Sequence, residues 1–251
     1  MCGLPYVGSG VTASAVSMDK IIMKAMFKQY GLPVARYLYF NRWHWQERED
    51  YWKQRIGDEL GYPCFVKPAN LGSSVGVSRV EMAGGLSAAI EEALLYDDKI
   101  IVEVYVPGRE IECSVLGDCN GKPPEASCPG EILPCNRFYD YQAKYIDDRT
   151  RLIIPAELNP QLDEEVRALA VKAFMAVEGS GLARVDFFIS SGQNRVIINE
   201  INTMPGFTSI SMYPKLWEAS GLPYRELVNR LLDLAKSRFQ RRRQLVTAPP
   251  E

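Results

Sequence analysis

The chain has 251 residues, 47% hydrophobic and 24% charged, with a formal net charge of −2 at pH 7. This is the make-up of a globular protein of one large or two modest domains, and it gives no global electrostatic reason to bind nucleic acid or an anionic membrane. The six cysteines form no Cys-x-x-Cys pair and His44 is the only histidine, so zinc is disfavoured; with no signal peptide and no apolar run near membrane length, reduced thiols and a cytoplasmic location are expected.

Met1 to Gly10 reads as the end of a connection, so a segment is expected to precede it and residues 1–8 are taken as a linker remnant. Ser17 caps a predicted helix from Met18 to Tyr30, stopped by Gly31 and carrying Asp19, Lys20 and Lys24. Val34 to Tyr39 reads as a strand. A second helix spans Glu47 to Leu60, with Trp52, Ile56 and Leu60 at helical spacing. The preceding Trp43-His44-Trp45 reads as core packing, since no basic stripe accompanies it to make a base-stacking platform. Phe65-Val66-Lys67 is a short buried strand running into the small-residue loop Pro68 to Val77. Leu86, Ile90 and Leu94 mark an amphipathic helix; Ile100 to Glu103 and Ile111 to Leu116 are strands, the latter turned at Asp118-Cys119-Asn120-Gly121. Cys135 to Arg151 reads as a long polar loop, and Leu162, Val166, Leu169, Ala173 and Val177 define another helix. After a hairpin come two closing helices, around Tyr213–Ala219 and Tyr224–Phe239. The basic tail Arg238 to Arg243 is read as cations favoured by a helix C-terminus rather than as a nucleic-acid site. Strands interleaved with helices, with several hairpins, predict an α+β fold.

The hairpin carries the chemistry. Leu182 to Ile189 and Val196 to Ile201 are apolar strands joined by Ser190-Ser191-Gly192-Gln193-Asn194. Alternation puts Arg184 on the face of Asp186, and Glu200 on the face of Asn202. Pairing Asp186 opposite Glu200 also sets Arg184 opposite Asn202. Two facing carboxylates repel, and a divalent cation between them removes the penalty. Two acids and an amide oxygen are hard ligands suited to Mg²⁺ or Mn²⁺, which shares substrate phosphates. A wet hairpin with scattered polar residues is the plainer alternative.

A nucleotide then needs holding. Gly72-Ser73-Ser74-Val75-Gly76 can bring backbone N–H groups to phosphate oxygens, although it is no Walker A motif. Lys67, ending an apolar strand just before that loop, needs an anion; Lys20 and Lys144 are further phosphate candidates. Glu103 can accept from an adenine amine while a neighbouring backbone N–H meets a ring nitrogen, and Glu110 can accept from ribose hydroxyls. An edge-strand charge is the competing reading for both acids.

In this order, Tyr6-Val7-Gly8-Ser9-Gly10, Ser17-Met18-Asp19-Lys20, Val66-Lys67-Pro68, Gly72-Ser73-Ser74-Val75-Gly76, Tyr139-Asp140-Tyr141-Gln142-Ala143-Lys144-Tyr145, Ala183-Arg184-Val185-Asp186 and Asn199-Glu200-Ile201-Asn202-Thr203-Met204-Pro205-Gly206-Phe207-Thr208 resemble the D-alanine–D-alanine ligase family of the ATP-grasp fold. The likeness runs from Pro5 to about Ala235. It implies two α+β subdomains clasping ATP: a central one over 9–103 and a C-terminal one over 104–240 with the metal and substrate site, then a tail over 241–251. It implies that ATP phosphorylates the carboxylate of one D-alanine, that the amine of a second attacks the acyl phosphate, and that the product serves peptidoglycan precursor synthesis. By resemblance Lys20, Lys67, Ser74 and Lys144 hold phosphates, and Glu103, Val106 and Glu110 hold adenine and ribose. Asp186, Glu200 and Asn202 bind two Mg²⁺ or Mn²⁺ ions; Arg184 and the Gly206 N–H stabilise the oxyanion. Ser73 and Tyr145 orient the loop over the substrates, and Ser211 and Met212 meet the second D-alanine's carboxylate. The family also carries an N-terminal domain whose glutamate meets the first D-alanine's amine, and this sequence shows no match to it. A D-alanine–D-lactate ligase and an ATP-binding fragment without turnover are the rival readings; the loop with Tyr141, Lys144 and Tyr145 has no histidine, which favours an amine acceptor. The resemblance leaves a homodimer open.

Overall fold

Val- and Ile-rich segments pair into two antiparallel sheets, each with an apolar face for helices to cover. The structure, a computed structural model, describes residues 3–133, 151–208 and 210–246. The first part of the chain supplies α1 (Val11–Met18), α2 (Lys20–Gln29), β1 (Tyr37–Asn41), α3 (Arg42–Glu47), α4 (Glu49–Glu59), β2 (Cys64–Pro68), β3 (Ser78–Val80), α5 (Leu86–Ala93) and β4 (Lys99–Val104). The remainder supplies β5 (Gly108–Asp118), β6 (Glu125–Ala126), β7 (Gly130–Leu133), β8 (Arg151–Ile153), α6 (Pro160–Ala176), β9 (Ser180–Ser190), β10 (Val196–Asn202), α7 (Met212–Ala219) and α8 (Tyr224–Arg243). The fold is α+β, as expected.

The smaller sheet has the order β1-β4-β2-β3. Leu38, Phe40, Val66, Ile100 and Val102 on its apolar face are buried against Trp45, Ile56, Leu86 and Ile90. Trp45 stacks on Phe40 with ring centroids 5.7 Å apart, the packing role expected of it. Trp43 departs from that expectation: it is 61% exposed and lies on the surface. The larger sheet has the order β10-β9-β5-β7-β8, with β6 beside β5. Ile111, Cys113, Val185, Phe187, Ile198 and Ile201 bury one face against α6 and against Met23 and Phe27 of α2. The other face is apolar at one end, where Leu116 and Leu182 meet Tyr213, Trp217 and Leu227. Alternation sets Glu110, Glu112, Arg184, Asp186, Glu200 and Asn202 along the rest of that second face.

Helix α2 serves both sheets. Met23 and Phe27 enter the larger core, while Ile21 packs with Ala69 and Ile101 of the smaller sheet. The helix expected from Met18 to Tyr30 is α2, which begins at Lys20 with Asp19 rather than Ser17 as its cap, and a separate helix, α1, precedes it. Asp19 Oδ1 accepts from the N–H groups of Ile21 at 2.9 Å and Ile22 at 3.2 Å. A carboxylate there satisfies orphan donors and also complements the helix dipole. The helix expected from Glu47 to Leu60 is α4, beginning at Glu49, and Arg48, whose φ of −140° and ψ of 47° are non-helical, separates it from the short helix α3; Asn41 caps α3 by accepting from His44 N–H at 2.9 Å. The first strand is shifted to Tyr37–Asn41, and Val34 makes an isolated parallel bridge to Ile198 instead. The expected loop from Cys135 lies outside the described residues up to Arg151, which opens β8.

Two arginines of the tail, Arg238 and Arg241, hold other segments in place. Arg238 donates to the carbonyls of Gly8 and Tyr6 and lies 4.4 Å over the Tyr6 ring, and Arg241 pairs with Asp118. Among the described residues no helix is long and apolar enough to cross a membrane.

Candidate active site

Strands β9 and β10 pair with Asp186 opposite Glu200 and Arg184 opposite Asn202, the pairing of acids expected for a shared cation. The register shifts between Ile198 and Glu200, and Asn199 is the extra residue of this bulge. The bulge lets Ile198 and Ile201, an odd number of residues apart, both enter the core while Glu200 and Asn202 share the opposite face. Strand β5 then adds an acid the sequence reading passes over: Glu112 lies opposite Asp186. Its signal was present, since Glu112 follows Glu110 by two residues and so shares its face. Three neighbouring carboxylates repel one another, and Arg184 answers them. Its Nε and Nη2 donate to Asp186 Oδ1 and Oδ2 at 2.7 and 2.8 Å, and Nε lies 3.1 Å from Glu112 Oε2. Burial opposes the guanidinium charge, but Asp186 and Glu112 outweigh it and raise the Arg184 pKa.

Among the described residues no three His, Cys, Asp or Glu side chains gather into a complete metal cage. Asp186, Glu200 and Asn202 are instead a partial set of hard oxygen donors, which fits an ion that takes its other ligands from phosphate and water. Asn202 Oδ1 also accepts from Met204 N–H at 3.1 Å, which orients the amide.

On the smaller sheet, Lys67 Nζ donates to Glu103 Oε2 at 3.1 Å. Glu103 is 3% exposed on β4, an interior strand, and Glu110 is on β5, also interior; the edge-strand reading of these acids is therefore overturned. A second ammonium, from Lys24 of α2, lies 3.4 Å from the same Glu103 oxygen. Burial would raise the Glu103 pKa, but Lys24 and Lys67 together hold it down at about 2. Burial pulls the Lys24 pKa down, with Glu103 opposing. The remaining oxygen, Glu103 Oε1, is buried and has no hydrogen-bond partner among the described residues. In the sequence Lys24 is only a charge on a helix, and its four-residue spacing from Lys20 gives no sign of burial.

The loop after β2 is tied down at its start, where Asn70 donates from its N–H and Nδ2 to Asp97 Oδ2 at 2.9 and 2.7 Å. Lys20 Nζ donates to the Leu71 carbonyl. Ser73 and Ser74 have φ of 54° and 59°, conformations that cost on the order of 1–3 kcal/mol each for non-glycine residues. Gly76 has φ of 68°, and a Cβ there would meet the Tyr96 ring at 2.6 Å and Pro68 at 2.8 Å. Turns of this kind present successive backbone N–H groups to anions. Beyond β10, Ser211 Oγ accepts from Thr208 N–H at 3.0 Å, and a Cβ on Gly206 would sit 2.8 Å from that oxygen. Met212 starts α7 with its side chain buried beside Leu216. Val106 lies in the link between β4 and β5; Lys144 and Tyr145 lie outside the described residues. The predicted site residues thus fall into a lysine, loop and Glu103 group on the smaller sheet and an arginine and carboxylate group on the larger. Lys24 spans the two, donating from Nζ to the Asn199 carbonyl at 3.0 Å.

Residues 26–233 match the family model described as "D-ala D-ala ligase C-terminus". The D-alanine–D-alanine ligase of Natranaerobius thermophilus is 50% identical over 96% of this chain and 65% of its own length. That of Geobacillus kaustophilus is 51% identical, with the same coverage of each. The solved D-alanine–D-alanine ligase of Coxiella burnetii superposes with a TM-score of 0.84 at 38% identity, over 96% of this chain and 63% of that one. The VanG D-Ala:D-Ser ligase of Enterococcus faecalis gives 0.83 at 33%, over 93% and 66%. The chain spans about 65% of the length of the first two relatives. Sequence and fold agree, and the chain belongs to the family of the D-alanine–D-alanine ligase C-terminal domain, with the ATP-grasp arrangement of its two sheets.

Proposed function

We propose that this chain binds ATP between its two sheets and carries the nucleotide and metal site of an enzyme that joins two D-alanines for peptidoglycan precursor synthesis. The observation that carries the reading is Asp186 facing Glu200 across β9 and β10, with Arg184 forked on Asp186. In this reading Asp186, Glu200 and Asn202 hold two Mg²⁺ or Mn²⁺ ions, which supply charge neutralisation at the transferring phosphoryl group. Lys20, Lys67, Ser74 and Lys144 grip the phosphates. Glu103 Oε1 accepts from the adenine amine, the Val106 N–H meets a ring nitrogen, and Glu110 accepts from ribose. Arg184 cannot act as a base; its permanent charge, with the Gly206 N–H, stabilises the oxyanion as the second amine attacks the acyl phosphate. Ser73 and Tyr145 position the loop over the substrates, and Ser211 with the Met212 N–H takes the second D-alanine's carboxylate at the start of α7. The subdomains are 9–103 and 104–240, with α2 shared between their cores, and the location is cytoplasmic.

The D-serine ligase among the structural neighbours raises one alternative acceptor. D-Alanine is favoured because relatives at about 50% identity are named for it, and D-lactate has no comparable support. Calorimetric titration of ATP with and without Mg²⁺ tests the nucleotide site, and ADP release with D-alanine, D-serine or D-lactate tests the acceptor. ATP binding that ignores Mg²⁺ would overturn the metal assignment, and release stimulated best by D-lactate would overturn the acceptor.

A further inference from the structure

Lys24 has no role in the chemistry above, yet its side chain is 1% exposed, a costly place for an ammonium. It reaches the Asn199 carbonyl at 3.0 Å and Glu103 Oε2 at 3.4 Å, the oxygen that Lys67 also reaches at 3.1 Å. One buried carboxylate therefore holds two cations where one would balance it. The two differ in freedom. Lys24 stands on α2 between both sheets, with Ile21 and Met23 beside it packed into different cores. Lys67 has a side chain 13% exposed near the end of β2, next to the loop that begins at Ala69.

We propose that Lys24 is the resident counter-ion of Glu103, a positioning residue that leaves Lys67 transferable to a nucleotide phosphate and keeps Glu103 Oε1 presented to the base. This rests on the ATP reading above. When an anion arrives beside the loop, Lys67 can leave Glu103 without stranding a buried charge, because Lys24 remains. Without Lys24, Glu103 competes with the phosphate for Lys67, since an unpaired buried carboxylate is strongly disfavoured. Lys24 also ties the base site to the bulge at Asn199, which sets the direction of Glu200.

The test is the phosphate increment, the ratio of adenosine Kd to ATP Kd, measured by calorimetry on the full chain with Mg²⁺ present. Lys24→Met should shrink that ratio roughly tenfold or more while changing adenosine affinity less, the loss expected when one charged hydrogen bond to phosphate is withheld. Lys24→Met combined with Glu103→Gln should restore the ratio, because Lys67 then has no competing carboxylate, even though adenosine binds less well. A purely structural Lys24 would weaken adenosine and ATP alike and show no restoration. Lys67→Met is the control. If it leaves the ratio unchanged, the phosphate role of Lys67 fails and the proposal fails with it. If it collapses the ratio while Lys24→Met does not, the proposal alone is overturned. Should Lys24→Met not fold, Lys24→Gln decides, since it keeps a polar head for the Asn199 carbonyl and removes the charge: a ratio reduced to the same degree supports the proposal, and a ratio at the wild-type value refutes it.

Discussion

Glu103→Gln keeps the shape of a buried side chain and removes its charge, taking away the carboxylate that Lys24 and Lys67 both reach. Breaking a buried pair from one side typically costs about 3–5 kcal/mol. An upper bound comes from Lys24 itself, which can shed its proton: bringing a lysine of ordinary pKa 10.5 to neutrality at pH 7 costs about 5 kcal/mol. A second route agrees: the Glu103 pKa is about 2 against an ordinary 4.5, a difference worth about 3 kcal/mol in favour of the native state. The folded pKa is the lower one, so this stability is present above pH 4.5 and is lost as pH falls towards 2. In the variant the sign reverses and the group is Lys24, whose folded pKa lies below its unfolded one. The unfolded chain then binds more protons, and the variant's stability rises with pH towards 10.5. Urea unfolding at pH 7 and pH 9.5, followed by circular dichroism with an unchanged m-value, should show a deficit of about 3 kcal/mol or more at pH 7 that narrows at the higher pH. A deficit below about 1 kcal/mol, or one equal at both pH values, would refute the reasoning.

Asp186→Asn or Glu200→Gln should weaken ATP binding by about 10-fold or more with Mg²⁺ present and leave it unchanged or improved in EDTA; equal losses in both conditions would count against a shared metal. Gly108→Ala should destabilise the chain by more than about 3 kcal/mol in the same unfolding assay, because a Cβ there would lie 2.0 Å from the Ile189 carbonyl oxygen; a near-neutral effect would mean that the start of β5 is displaced from β9. Arg238→Ala should release the segment around Tyr6 to Gly8, read as faster proteolytic cleavage there with the rest of the chain intact; unchanged cleavage would show that the clamp is not what holds it.

The hairpin was legible because its cause is local. Two apolar runs and a polar turn mark the hairpin, and the two acids single out the pairing of Asp186 with Glu200; the bulge at Asn199 that makes this pairing compatible with Ile198 opposite Phe187 was not legible. The helices from Leu162 to Val177 and from Tyr224 onward follow in the same way from their 3.6-residue stripes. Hydroxyls and carboxylates both suit a cap, so the sequence around Ser17 and Asp19 does not select one; the break after Met18 does. The short strands β3, β6, β7 and β8 have too few residues for a period to show, and their existence depends on the neighbours they pair with. Glu112 and Lys24 define the division most clearly. Within an unbroken strand or helix, sequence by itself determines which residues share a face, since that follows from backbone geometry; the bulge at Asn199, which turns Ile198 and Glu200 to opposite faces, is decided by the pairing of β10 with β9. Only the tertiary structure decides that Glu112 completes a row of acids answered by Arg184, and that Lys24 and Lys67 meet on one oxygen of Glu103. Those meetings join segments dozens of residues apart, and burial sets their energy by removing the water that would otherwise screen each charge.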